Sequence, residues 1–400
     1  MIINEKRALC YNTPVLWVKK IPGADNIELI GILGWTCIAK KGEFHEGDLA
    51  IYFEIDSKLP EAEWSEFMAS KHYKVKTMKL GKFNVISQGL ALPYEAFPHD
   101  IRINLPLSAE PVDLTEMLGV KYSVEEDNKR KSGGDPNAKY TSMKARHKKF
   151  FSNKLVKKLM RYEWFRKFIF VFLGKKKDNP MAFPAGFPYV HKTDEERIQN
   201  LPNLLGYPNP LIATEKIDGT SCTYILERKK GRLGKETFEF YVSSRNVRQL
   251  KPDQACYHDT NIYWELALKY DIEKHLKEYL NKYPDLDYVC IQGEGAGSVQ
   301  GNPLKLKENV LFCFNFIRSD VGRLPSNEGE KIVHDWGMMW VPILDTAFMM
   351  PDTMEEILSL ATAKSVVNPA VLREGIVLRD PTCDLSFKAV SNEYLLKHNG

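Results

Sequence analysis

The stretch ATEKIDGTS, residues 213–221, is the point from which this chain is read. It continues the short apolar run Leu211–Ala213, which reads as a strand. Lys216 then falls at the strand's end. Behind it, Asp218 and Gly219 form a pair suited to a tight turn, Asp by bonding to nearby backbone and Gly by tolerating any backbone angle. At ordinary residue frequencies K-x-D-G arises by chance in roughly one chain of this length in ten. Alone, therefore, it fits a plain strand-end lysine before a plain turn, and its companions decide the matter.

Downstream, in order, stand SSRN with Arg245, IQGEGAG with Glu294, FCFNF with Phe314, REGIVLR with Glu374 and Arg379, and SFKAVS with Lys388. RIQN, with Arg197, lies shortly upstream. This ordered set resembles the lysine-dependent nucleotidyltransferases: the DNA ligases, RNA ligases and mRNA capping enzymes. The likeness narrows because a β-rich segment precedes the K-x-D-G part, whereas DNA ligases and capping enzymes place theirs after it. GADNIEL, KKGEF, YFEIDS and SQGL at the front, with KTDEERIQNLP and SFKAVSNEYLL further on, are similar to RNA ligase family five. The similarity spans nearly the whole chain and is loosest over 121–180.

The resemblance implies an α+β fold, in which an OB-fold β-barrel is followed by an adenylyltransferase (ATP-grasp-like ligase) domain of antiparallel sheets with flanking helices. It implies an ATP-dependent RNA ligase that joins 3′-OH to 5′-phosphate ends through lysyl-AMP and an AMP-capped 5′ end. Lys216, Asp218 and Lys388 take catalytic places in that scheme. Glu215, Ile217, Gly219, Arg197, Arg245, Glu294, Phe314 and Glu374 take nucleotide-binding places. ATP with Mg²⁺ or Mn²⁺ is the implied cofactor set, the metal held by Glu294 and Glu374 through water. A role in RNA repair, on breaks whose 3′-OH strand is RNA, comes from the resemblance alone.

The residue types suit this chemistry. A lysine nucleophile must be a neutral amine, so its pKa is expected to fall through burial and nearby positive charge, metal included. An arginine fork matches phosphate oxygens, which suits Arg197 and Arg245, although each also fits a surface arginine. Carboxylates acting through water suit magnesium, which keeps much of its hydration shell. Phe314 matches the aromatic that stacks on adenine, against the plain alternative of a strand phenylalanine in a core. Lys388 offsets charge on the phosphate and pyrophosphate. Many relatives carry a second lysine two positions later, where Val390 stands here.

Ahead of this part, strands are expected over Val15–Lys19, Ile27–Leu33, Thr36–Ala39, Leu49–Ile55 and Ile86–Leu92, joined by turn-forming stretches such as IPGADN. Five short strands with compact turns fit an OB barrel. His45, Glu46 and Asp48 read as a polar turn rather than a metal site. Residues 121–178 hold eighteen Lys and Arg against six Asp and Glu, a local +12 in a chain of net charge +4. Such a segment favours a polyanion, against the alternative of a solvated insertion. Domains are expected at 1–120 (OB fold with extension), 121–180 (basic linker and amphipathic helical insertion) and 181–400 (nucleotidyltransferase).

Seven scattered cysteines without a CxxC pair argue for a reducing compartment. With neither a signal sequence nor a membrane-length apolar run, the expectation is an intracellular, cytoplasmic monomer with no membrane partner, acting on RNA or an RNA-containing nicked duplex. KRK at 129–131 is too brief to establish nuclear import. The rival readings are a capping guanylyltransferase, a DNA ligase and a noncatalytic OB-type RNA-binding protein.

Overall fold

The computed structural model describes residues 1–4, 6–123, 156, 190, 195–230, 236–245 and 261–398. The expected basic helical insertion therefore lies almost wholly outside the described residues. Among the described residues no helix is long and apolar enough to cross a membrane.

The front domain is built on β1 (Cys10–Pro14), β2 (Trp17–Lys20), β3 (Ile27–Ile32), β4 (Trp35–Lys40), β5 (Leu49–Phe53), β6 (Thr77–Leu80), β7 (Val85–Gln88) and β8 (Leu90–Pro93). One sheet runs β8-β5-β1 and another β2-β3-β4. The chain bends at Val15 and Leu16, whose amides donate to Asp48 on one side and Gly31 on the other, so that β1 and β2 act as one strand shared by both sheets. β4 lies alongside β8 and completes the ring. This is the OB order, in which the first strand pairs with the second and fourth, and the third meets the fifth. Alternate residues of β4 (Trp35, Cys37, Ala39) point inward with Tyr11, Ile30, Ile32 and Tyr52, as a period of two requires.

Two expected strands are differently bounded. Val15–Lys19 is interrupted by the bend, and Cys10–Pro14, not singled out from the sequence, supplies the first half of that strand. Ile86–Leu92 is two strands, because Gly89 adopts φ 100°. A side chain there would also strike the Tyr52 ring, whose hydroxyl donates to Gln88 O at 2.9 Å. β6 and β7 form an antiparallel hairpin inserted between the fourth and fifth barrel strands. His45 to Asp48 is the expected polar turn, closed by the His45 amide on Asp48 Oδ2 at 2.7 Å.

The second domain holds two sheets. One contains β9 (Glu196–Arg197), β10 (Leu211–Lys216), β16 (Ile343–Phe348), β17 (Gly375–Arg379) and β18 (Ser386–Val390), in the order β9-β18-β17-β10-β16. The other is β12-β11-β13-β14, from Glu236–Ser244, Thr220–Lys230, Tyr288–Ala296 and Val310–Arg318, with β15 (Met339–Trp340) beside β14. Pairing is antiparallel as expected, except for the parallel pairs β9–β18 and β14–β15. Helices α1 (Ile262–Lys269), α2 (Ile272–Lys282) and α3 (Ser326–Asp335) share an apolar core with the second sheet, and α4 (Met354–Ala361) packs on the first. The amphipathic spacing of α2 shows the reason: Ile272, Leu276 and Leu280 are buried at i, i+4, i+8.

The domains are joined by specific contacts. Asn200 accepts from Trp35 Nε1 at 2.6 Å and from the Tyr11 hydroxyl at 3.2 Å, and donates to Glu54 at 2.7 Å. The Gly34 amide donates to Gln199 O at 2.8 Å. From the far end of the chain, Val390 and Leu395 enter the apolar core of the barrel itself.

Candidate active site

Lys216 closes β10, whose register sets Lys216 opposite Gly375 on β17. Its Nζ donates to Glu374 Oε2 at 2.5 Å, and its side chain is 23 % exposed. On the second sheet Glu294 of β13 faces the same amine. What brings the sheets together is Gly219. A Cβ there would stand 2.3 Å from the Gly295 carbonyl, so only glycine lets the chain after Lys216 lie against β13. Gly219 thus serves backbone packing, which differs from the expected turn against a nucleotide.

The electrostatics of this cluster correct one expectation. Burial lowers the pKa of Lys216, but Glu374, Glu294 and Asp218 outweigh it and hold the amine above its ordinary value. The carboxylates carry the complementary stress: burial pushes Glu294 up to about 8. Burial likewise raises Glu374 despite Lys216 beside it. In the protein alone, Lys216 is an ammonium ion. Among the described residues no group of three or more His, Cys, Asp or Glu is arranged to ligate a metal. Glu294 and Glu374, two carboxylates facing one amine, are a donor set that suits a hydrated cation held through water.

Beside the lysine lies a cationic edge. Arg197 ends β9 in parallel register with Lys388 on β18. Arg197 is buried, lies over the Trp35 ring and pairs with Asp56 at 3.5 Å, yet its Nε and Nη1 have no hydrogen-bond partner. Lys388 is pushed well below the ordinary lysine value by burial and by Arg197, Lys216 and Arg7. The two unpartnered Arg197 nitrogens are donors that suit the oxygens of a polyphosphate. Val390, where a second lysine stands in many relatives, is 1 % exposed and lies inside the barrel core. A lysine there would bury its charge in apolar surroundings, whereas Arg197 stands in register beside Lys388.

Between the sheets is a cleft of about 490 Å³ lined in part by Glu215, Lys216, Ile217, Glu294, Phe314 and Arg379. One oxygen of Glu215 accepts from the Val366 amide at 2.7 Å. The other, Oε1, is buried without a donor. Phe314 is half-buried on β14, packs against the core of its sheet and also lines the cleft. Both observations fit a purine with an exocyclic amine.

Arg245 directly follows β12, whose last residue Ser244 pairs with Cys222, one position from Ser221 opposite Glu294. Three further residues belong to the site. Tyr394, on α5 (Asn392–His398), donates its hydroxyl to Asp218 Oδ2 at 2.5 Å. Arg379 and Glu195, paired at 2.9 Å, line the cleft beneath Phe314. Tyr394 lies in SNEYLL and Arg379 in REGIVLR, so both were within quoted motifs, but spacing could not show what they touch. Tyr394→Phe should lower the unfolding free energy by about 1.5–3 kcal/mol, the worth of a hydrogen bond to a charged group. Urea denaturation reads the difference, and an unchanged midpoint would mean that the bond contributes nothing.

Comparisons with known proteins agree with this geometry. An OB-fold domain profile matches residues 13–94, and an RNA ligase profile matches residues 209–390. A search of curated proteins finds no match. Among solved structures, a mutant Naegleria gruberi RNA ligase with ATP and Mn is 28% identical with a TM-score of 0.71, over 98% of this chain and 100% of that one. The same organism's RNA ligase with pyrophosphate is 28% identical with a TM-score of 0.70, over 98% and 99%. Another mutant of it, with AMP and Mn, is 27% identical with a TM-score of 0.71, over 98% and 99%. From Lys216 and its carboxylates to the barrel set ahead of them, the chain is similar to these RNA ligases over nearly its whole length, with an RNA ligase match over residues 209–390 and an OB-fold match ahead of it.

Proposed function

We propose that this protein seals a 3′-OH to a 5′-phosphate in RNA, or in an RNA-containing nicked duplex, at the expense of ATP. The observation that carries the proposal is the placement of Lys216 between carboxylates on two sheets, next to Arg197, whose Nε and Nη1 have no hydrogen-bond partner. Lys216 Nζ attacks the α-phosphorus of ATP with its lone pair, the bond to pyrophosphate breaks, and the amine loses its proton. Arg197 and Lys388 hold the departing pyrophosphate. The 5′-phosphate oxygen of the RNA then displaces Lys216 from AMP, and the 3′-OH finally displaces AMP, leaving a phosphodiester. A divalent cation held through water by Glu294 and Glu374 would neutralise those carboxylates and so free the amine to deprotonate.

Glu215 gives the reading its nucleotide. Its unpaired oxygen accepts from the exocyclic amine of adenine, whereas guanine presents a carbonyl in that place. The six described cysteines are buried and free, which supports action in a reducing compartment, the cytoplasm, on RNA ends that need repair. We take the working unit to be a monomer.

Incubation with α-labelled ATP and Mg²⁺, without RNA, should label Lys216 through an acid-labile bond. Labelled GTP should give little product. Because Lys216 is held above its ordinary pKa, only a small neutral fraction exists near pH 7. Adduct formation should therefore rise by up to about tenfold per pH unit through the neutral and alkaline range until the amine is deprotonated. Label from GTP alone would move the protein to the capping branch. No label from any nucleotide would leave a binding protein, and a flat pH response would remove deprotonation as the limiting event.

A further inference from the structure

We infer that the hairpin inserted in the OB barrel, β6–β7, grips the phosphate backbone of the RNA beside the break. Residues 70–84, SKHYKVKTMKLGKFN, contain five lysines (71, 74, 76, 79 and 82) and no Asp or Glu. Lys76, Lys79 and Lys82 are exposed, and among the described residues none of these three has a carboxylate within ion-pair distance. A surface that balanced its own charge would place acids between them. This one leaves three cations for an outside polyanion.

The hairpin's place in the fold points the same way. It is the loop between the fourth and fifth barrel strands, one of the two loops by which OB folds commonly hold oligonucleotides. The other, after β2, meets it: Phe83 at the hairpin tip lies 4.0 Å from where a Gly23 Cβ would stand. Exposed Lys19 and Lys20 lead into that second loop. On its other side β6 lies against α5, the helix whose Tyr394 bonds Asp218, and Gln88 at the hairpin's end donates to Asn392 at 2.8 Å. A strand held by these lysines is one helix away from the adenylated lysine. Phosphate contacts carry no base information, so the grip is indifferent to sequence.

The inference rests on the RNA ligase reading, and its test separates the two. The full-length protein carrying Lys76→Glu, Lys79→Glu and Lys82→Glu is compared with wild type in two assays. Lysyl-AMP formation without RNA should stay within about twofold, since no catalytic residue is altered. On a nicked RNA duplex the KM should rise at least tenfold, and the dependence of log affinity on log salt should flatten by about one for each phosphate that the lysines no longer hold, up to about three. Lys274→Glu, Lys277→Glu and Lys282→Glu on the exposed face of α2 make the same change of charge elsewhere and control for it. An unchanged KM and salt slope in the hairpin variant, or an equal loss in the α2 control, overturns the hairpin's role. Failure of wild type to form lysyl-AMP would instead sink the ligase reading.

Discussion

Lys216→Met should abolish transfer of AMP to the protein and, with it, sealing of a 5′-phosphate to a 3′-OH, by at least about four orders of magnitude. The size follows from position. Lys216 is placed by β10 between two sheets, and its hydrogen-bond partner is Glu374. Lys388, another amine of the cluster, sits on β18 in the cationic edge and faces the polyphosphate in the proposed arrangement. Methionine keeps the length and most of the volume of the lysine stem, so the fold survives. The urea midpoint should stay close to wild type, although Glu294 and Glu374 lose a favourable charge. The decisive readout is a pre-adenylated 5′ end. Supplied with AMP already on the RNA, the variant bypasses the missing nucleophile and should recover part of its sealing. Labelled adduct on the folded variant would show that another residue takes up AMP.

Lys216 and the residues that the structure gathers round it could be picked out of the sequence because the expected chemistry fixes residue types at short spacing within single strands. K-x-D-G, the glutamates of β13 and β17 and the lysine of β18 each lie in a short motif that reads locally. What escaped was set by contacts between distant segments. Asn200 is an ordinary polar residue in RIQN, yet it receives Trp35 and Tyr11 from a barrel 165 and 189 positions away. Val390 read as a missing cation and proved to be core of the other domain. The direction of the Lys216 pKa was misjudged for a related reason. Three carboxylates from three segments converge on one amine, and a linear sequence does not show that convergence. Gly89 was the legible clue to the split of Ile86–Leu92, since a glycine inside a strand pattern marks a break or a close approach.

The largest effect on stability is expected at Arg379. Its Nε donates to Ser386 Oγ at 3.0 Å, its Nη1 to the Phe314 carbonyl at 2.7 Å and Asn315 Oδ1 at 3.0 Å, and its Nη2 to Glu195 at 2.9 Å. Asn315 continues the chain to Gln292 at 2.9 Å. One guanidinium thus ties β17 of the first sheet to β14 of the second, directly under the Phe314 ring, whose centre is 5.7 Å away. Arg379→Met fills similar volume but leaves a carbonyl and a carboxylate without their donor, at a cost of about 3–5 kcal/mol. Lysine restores the charge and not the fork, so Arg379→Lys should fall between the two. The pH dependence identifies the mechanism. Burial raises the pKa of Glu195, but Arg379, helped by the Ser386 hydroxyl and Arg323, more than offsets this and holds it below its ordinary value of 4.5. A carboxyl depressed in the folded state stabilises above its unfolded pKa, and that contribution fades as pH falls through the folded value. The gap between wild type and Arg379→Met should accordingly be widest at neutral pH and narrow below about pH 4.5, as Glu195 takes up a proton. Because the same bonds hold the Phe314 carbonyl, the KM for ATP in adduct formation should rise in parallel. A gap that stays constant into acid would assign the loss to packing, and Arg379 would then be a structural filler and not the electrostatic tie between the sheets.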